Sequence, residues 1–201
     1  VWIAPDPHGH LQATGRDARG RKQYRYHPDF RRARDEHKFE RFVGFCTALP
    51  RLRQRVRRDL ECRCLCRTKV VATIVALLER AQLRIGNDAY VRANGSFGAT
   101  TLLDRHARIA KGELELAFRG KGGIPRRVRI DDQRLARIVR SCRDLPGQRL
   151  FQYEDHGRVR AVSSHDVNAY LRRATGAAYT SKDFRTWAAT VGTAVLLAAE
   201  A

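Results

Sequence analysis

The sequence predicts an α+β fold: a mostly helical body with a small three-stranded antiparallel sheet, preceded by a short irregular to β-like segment. Three observations predict it. Beyond residue 36, apolar residues recur mainly at helix spacing. The segment Leu114-Glu-Leu-Ala-Phe118 alternates at strand spacing instead. Gly9, Gly15 and Gly20 cut the first thirty residues into short turns.

The elements follow in order. Residues 1–30 read as irregular to β-like, and residues 31–201 as mostly helical. Between Gly15 and His27, Arg16, Arg19, Arg21, Lys22 and Arg25 interleave with Tyr24 and Tyr26. In a strand the two tyrosines share one face, and Gln23 and Arg25 take the other. From Glu36 the pattern is helical, with a stripe of Phe39, Phe42, Val43, Cys46 and Leu49. Pro50 is expected to kink that helix or to start the next one. Thr68 is expected to cap a helix with Val71, Ile74, Val75 and Leu78 inward, delivering Arg84 just past its end. Asn94 to Gly98 reads as a loop.

Three strands follow, at 107–109, 114–118 and 128–130, joined at Lys111-Gly112 and Lys121-Gly122-Gly123. Everything later reads as helix. One stretch buries Leu135, Ile138, Val139 and Cys142 and stops at Pro146-Gly147. Another starts at Ser163, with Asp166 three on, and closes at Gly176. The last is capped by Thr180 or Ser181, with Phe184, Trp187, Val191, Ala194 and Val195 on one face.

Composition narrows the partners. Lys plus Arg is 40 and Asp plus Glu is 21, a formal net charge of +19, so a polyanion is needed to relieve self-repulsion. The 43% hydrophobic content excludes a disordered basic tail. Arginine dominates the cations, which suits bidentate phosphate contacts. Nucleic acid is the expected partner, and no membrane is expected. The five cysteines, an odd number without a secretory signal, read as reduced thiols. Cys62-Arg-Cys64-Leu-Cys66 is spaced too closely for the usual zinc pattern and reads as a connector. The chain contains no Met, begins Val1-Trp2-Ile3 and ends within an apolar stretch, so both ends are expected to be cut.

Three cations beside strong structural punctuation form the candidate catalytic set: Arg84 in Leu-Arg-Ile-Gly, Lys121 in Phe-Arg-Gly-Lys-Gly-Gly and Arg185 in Lys-Asp-Phe-Arg-Thr-Trp. Cleaving a phosphodiester without a metal needs forks that hold the non-bridging oxygens; two guanidinium groups supply them. The leaving oxygen needs a proton, and a lysine ammonium on a hairpin tip can deliver it. Singly, each residue also fits a structural role: a helix-end cap, a solvated turn or an ion pair.

The ordered set resembles the type IB DNA topoisomerases, most closely their short bacterial and poxvirus-like members. The resemblance rests on Gly20-Arg-Lys-Gln-Tyr-x-Tyr26, Leu83-Arg-Ile-Gly-x-x-x-Tyr90, Gly95-Ser-Phe-Gly-x-Thr-Thr-Leu102 with Arg105-His106, Phe118-Arg-Gly-Lys121, Leu150-Phe151, Asp166-Val-Asn168 and Lys182-Asp-Phe-Arg-Thr-Trp187. It runs along essentially the whole chain in one order. It implies the end of a β-rich N-terminal DNA-binding domain at residues 1–30. It further implies a mostly helical catalytic domain with a small three-stranded antiparallel sheet at residues 31–201, lacking its C-terminal end. It implies that Arg84 and Arg185 hold the scissile phosphate and that Lys121 is the general acid for the 5′-oxygen. It places Gln23, Tyr24 and Tyr90 against DNA, joining Arg21, Lys22 and Tyr26 of the basic strand. It implies strand cleavage and rejoining through a 3′-phosphotyrosine, with neither metal, ATP nor other cofactor, by a monomer in the cytoplasm, associated with the nucleoid.

One departure follows. The family's phosphate-binding histidine and nucleophilic tyrosine lie downstream of the Lys-Asp-Phe-Arg motif, and the residues after Arg185 contain neither His nor Tyr. The chain alone is expected to bind duplex DNA without relaxing supercoils. Two other readings share the cations. A tyrosine recombinase would usually carry histidine where Lys182 stands. A non-catalytic DNA-binding module would use the same charges only to neutralise phosphates.

Overall fold

A computed structural model describes residues 1–18 and 20–200; Arg19, assigned to the basic segment, lies outside the described residues. The fold is α+β, and the chain divides into two compact units, Val1–Gly44 and Phe45–Ala201.

The first unit opens with an antiparallel meander: β1 (Trp2–Ile3), β2 (Leu11–Arg16) and β3 (Lys22–Tyr26). Thr14 faces Tyr24 and Arg16 faces Lys22 across the β2–β3 ladder. Gly20, at φ +71°, closes the connecting turn by donating to the Asp17 carbonyl at 2.8 Å. Helix α1 (Pro28–Leu60) begins eight residues before the sequence pattern does and runs through Pro50 as one element. Pro50 lies on the exposed side, where a missing backbone bond costs least.

The expected α1 stripe is corrected. Phe39 and Val43 are exposed; the buried residues of α1 are Phe45, Leu49, Leu52 and Val56, with Asp59 and Leu60. Their spacing of four, three and four is helical, and Leu49 belongs to the expected stripe; of its other members Phe42 and Cys46 are half-buried. Phe39 and Val43 lie before the division at residue 44, and the core of the second unit starts after it.

Helix α2 (Arg67–Ala81) is the centre of that core. Every residue from Val70 to Leu78 is buried, so the helix is wrapped on all sides. Its N-cap is Cys66, not Thr68, and it ends at Gln82 in the left-handed conformation. Fully burying one Leu or Val stabilises a fold by about 1.5–3 kcal/mol. A short helix that the sequence pattern missed, α3 (Asp88–Asn94), follows; the Asn87 side chain accepts its Ala89 N–H at 2.7 Å.

The sheet of the second unit is β4 (Ala107–Ala110), β5 (Glu113–Arg119) and β6 (Pro125–Asp131), antiparallel in that order. Leu114 pairs with Ile130, Leu116 with Val128, and Phe118 with Arg126 on one face. Glu115, Arg127 and Arg129 take the other face, where Glu115 bonds Arg129 at 3.0 Å. Helix α4 (Gln133–Arg143) is capped by Asp132 and buries the expected Leu135, Ile138, Val139 and Cys142.

The expectation that all later residues are helical is corrected by a hairpin, β7 (Gln152–Asp155) and β8 (Arg158–Ala161). Phe151, Gln152 and Tyr153 are all buried, so no alternation marks the first strand. Only the turn did, with His156 at φ 48° and Gly157 at φ 74°. Helix α5 (Ser164–Thr175) has the expected Ser163–Asp166 capping box and Gly176 stop. Helix α6 (Ser181–Glu200) buries Phe184, but Val195, Leu196 and Leu197 are exposed, so the expected inward face covers only its first half. No described helix is long and apolar enough to cross a membrane.

Candidate functional site

Arg84 is held through its backbone. Leu83 is buried, and Arg84 follows with its side chain exposed. The Arg84 carbonyl accepts the Ala99 N–H at 2.8 Å, and the Ile85 carbonyl accepts both the Thr100 N–H (2.7 Å) and the Thr100 hydroxyl (2.9 Å). Gly98 makes this clasp possible. A Cβ there would stand 2.5 Å from the Gly86 nitrogen and 2.6 Å from the Arg84 oxygen. Only hydrogen fits against two backbones that close. The sequence presents Gly95-Ser-Phe-Gly-x-Thr-Thr as a motif without a role; its role here is to fix Arg84.

The same loop reaches the hairpin of Lys121. Phe97 donates its N–H to the Arg119 carbonyl at 2.7 Å, at the end of β5. The hairpin is closed by Gly120 N–H to the Ile124 carbonyl at 2.8 Å, and the Arg119 guanidinium donates to the Gly123 carbonyl at 3.3 Å. Lys121 stands exposed on this tip, followed by two residues of freedom, Gly122 at φ 74° and Gly123 at φ 76°. It makes no ion pair among the described residues.

Arg185, on the second turn of α6, is half-buried. Burial, then the nearby charges of Arg84 and Arg126, push its pKa down. Two of the three expected catalytic residues therefore share one electrostatic neighbourhood, joined by an arginine the sequence analysis did not single out. Among the described residues Arg84, Arg126 and Arg185 make no ion pair, and no carboxylate offsets the repulsion on Arg185. Clustered guanidinium groups with no counter-charge form a receptor for an anion with several oxygens. Lys121 belongs to the same hairpin as Arg126: a Cβ on Gly120 would lie 3.0 Å from the Arg126 Cγ.

The expected DNA-contacting residues fall in two places. Arg21, Lys22, Gln23, Tyr24 and Tyr26 lie in or beside β3 of the first unit, and Tyr90 lies exposed on α3 of the second. Arg21 is bound to Asp17 at 2.7 Å, and Gln23 donates to the same carboxylate at 2.9 Å. The Tyr24 and Tyr26 rings stack with centroids 6.2 Å apart, as shared-face strand neighbours should, and the Lys22 ammonium lies 5.4 Å from the Tyr24 ring centre. The strand thus presents an aromatic pair with a cation at its edge.

His106 has a structural task. Its Nδ1 accepts the Leu103 N–H at 3.0 Å, and its ring meets Phe97 edge-on at 4.5 Å. Burial, then the charge of Arg105, push the imidazole below its usual range, so it is neutral at pH 7. It supports the clasp loop from beneath. Among the described residues no group of three His, Cys, Asp or Glu side chains is arranged to hold a metal ion.

Two comparisons bear on this arrangement. Residues 27–200 match the family model described as the catalytic core of eukaryotic DNA topoisomerase I. The chain is also 31% identical over 194 residues to DNA topoisomerase 1B of Acanthamoeba polyphaga mimivirus. That alignment covers 94% of this chain but 58% of the viral protein, so the chain spans little more than half the length of that relative. A match over this much of the chain makes it a member of the type IB DNA topoisomerase family.

Proposed function

We propose that this chain supplies the phosphate-binding part of an enzyme that cleaves and rejoins one strand of duplex DNA and so relaxes supercoils. The observation that carries the reading is the cluster of Arg84 and Arg185, without a carboxylate, beside the exposed Lys121 hairpin. Arg84 and Arg185 hold the non-bridging oxygens of the scissile phosphate and stabilise the charge of the transition state. A tyrosine oxygen attacks phosphorus and the bond to the 5′-oxygen breaks. That oxygen takes the leaving electron pair and receives a proton from the Lys121 ammonium. Rejoining reverses each step. The chemistry runs through side chains alone, so neither metal nor ATP enters it. Arg21, Lys22, Gln23, Tyr24 and Tyr26 of the first unit, and Tyr90 of the second, each contact duplex DNA.

The six tyrosines of the chain are not assigned as the nucleophile. Tyr170 is buried and donates to Asp59 at 2.8 Å; burial, then that bond, push its pKa far up. Tyr153 is buried, and Tyr179 packs edge-on against Phe45. Tyr24 and Tyr26 are stacked on each other, and Tyr90 is assigned to DNA contact. The 201-residue chain therefore binds duplex DNA without relaxing it. Robust plasmid relaxation by this polypeptide would overturn that reading. Binding weakens with salt at a log–log slope of about −0.9 per phosphate contact. In the full-length gene product, Lys121→Ala abolishes cleavage while duplex affinity stays close to that of the parent. If both fall together, the cations serve binding only.

A further inference from the structure

We propose that Arg126 is a third phosphate-binding guanidinium of this site, contacting the DNA backbone alongside Arg84 and Arg185. The proposal rests on the reading above that the cluster receives a DNA phosphate.

The sheet register sets the direction of Arg126. It stands opposite Phe118 on the face that carries Leu114, Leu116, Val128 and Ile130. That face is apolar along its length, and Arg126 is its one charged member, at the end where the hairpin begins. Its neighbours Arg127 and Arg129 point the other way and lie at 3.8 and 3.0 Å from Glu115. Strand alternation therefore splits three nearby arginines into two classes: two that share a carboxylate, and one that has none.

The local packing also fixes where Arg126 begins. Its Cγ lies against Gly120, so the aliphatic stem crosses the base of the Lys121 hairpin. The Gly120–Ile124 bond closes that hairpin, so Lys121 lies within the turn and Arg126 just past it on the β6 arm. The loop that clasps Arg84 meets this same base, where Phe97 donates to the Arg119 carbonyl at 2.7 Å, and the charges of Arg84 and Arg126 both lower the Arg185 pKa. An exposed arginine is free to swing away from like charges. Its place beside two others suits a ligand with more oxygens than two forks can satisfy. A DNA strand offers such oxygens at the scissile phosphate and its immediate neighbour. Contact by Arg126 would also tie phosphate arrival to the hairpin that carries Lys121.

The test is the salt dependence of binding to a short synthetic duplex, measured by fluorescence anisotropy on the 201-residue chain and on four variants. Arg84→Gln and Arg185→Gln probe the parent site, Arg126→Gln probes the proposal, and Arg127→Gln probes the opposite sheet face. Arg126→Gln is expected to weaken binding about tenfold and to flatten the log–log slope by about 0.9. Arg127→Gln is expected to leave the slope unchanged. If Arg84→Gln and Arg185→Gln flatten the slope while Arg126→Gln does not, the proposal fails and the site reading stands. If Arg127→Gln flattens it as much as Arg126→Gln, the effect is general surface charge and the proposal also fails. If none of the four changes it, the site reading itself fails. Circular dichroism melts on each variant separate loss of contact from loss of fold; a folded Arg126→Gln protein with unchanged affinity counts against the proposal.

Discussion

Replacing Gly98 by alanine attacks the site through its scaffold and leaves every charge in place. The new methyl would lie 2.5 Å from the Gly86 nitrogen, 2.6 Å from the Arg84 oxygen and 2.7 Å from the Gly86 Cα, all backbone atoms that cannot rotate away. Relief requires the two strands of the clasp to part. Forcing the methyl in costs about 1–3 kcal/mol by overpacking. Parting the clasp lengthens the Ala99-to-Arg84 and Thr100-to-Ile85 bonds, and each buried group left unpaired adds about 1–3 kcal/mol. A total near ~4 kcal/mol is a large share of the ~5–15 kcal/mol that holds a domain folded. At about 2–4 °C per kcal/mol for a chain of this size, the melting temperature falls by roughly 10 °C. The comparison is Gly95→Ala in the same loop. Gly95 has φ +58° but nothing within 4 Å, so the methyl costs only about 1 kcal/mol of backbone strain. Thermal melts of the two variants, with duplex affinity read on each below its transition, make the measurement. A Gly98→Ala protein that melts no lower than Gly95→Ala, or that binds DNA as the parent does, refutes the clasp.

Other predictions address separate parts of the fold. Gly192 sits within α6 with open space around it, so Gly192→Ala should stabilise by about 0.5–1 kcal/mol in urea unfolding; no gain would mean that this part of α6 is not helical. Asp132 caps α4 and pairs with Arg80. Burial pushes its carboxyl up, but the Leu135 N–H and Arg80 outweigh that and hold it below the ordinary value. Its contribution is therefore complete above about pH 3.9 and fades as pH falls through the lower folded value. Asp132→Ala should cost about 1–2 kcal/mol near neutrality, with the difference shrinking in acid; a gap that is constant with pH would contradict the ion pair. Burial raises the Cys66 thiol, but the backbone N–H of Lys69, the Cys64 and Cys62 thiols and the Thr68 N–H lower it further, whereas burial pushes Cys142 up to about 12. Iodoacetamide near neutral pH should modify Cys66 well before Cys142, as mass spectrometry would read, and equal rates would refute the assignment.

What could be read from the sequence was local. Helices α4 and α5 carry their own start and stop residues, and the alternation at Leu114–Phe118 marks β5 without help. The site was legible as far as single motifs go, in Arg84, Lys121 and Arg185. Elsewhere, long-range packing decided. The buried side of α1 is set by what packs against Phe45 and Leu49, and the exposed Phe39 and Val43 fit the same period. β7 was hidden because consecutive buried residues erase alternation. Arg126 was hidden for a similar reason. One arginine in the run Arg126-Arg127-Val128-Arg129 looks like the next until the register assigns them to opposite faces. The need for glycine at 98 is likewise invisible until the Arg84 turn lies against it.

Helix α2, enclosed on every side, ends three residues before Arg84, whereas Lys121 hangs from glycine joints at a hairpin tip. One arm of the site is thus anchored in the part of the unit that opens last, and the other is compliant. Amide deuterium uptake along Val70–Leu78 would then report whole-unit opening, while the exposed Gly122 amide would exchange far sooner. In the proposed function an incoming strand would meet a fixed cradle and a soft finger, and the time course of closing would belong to the hairpin.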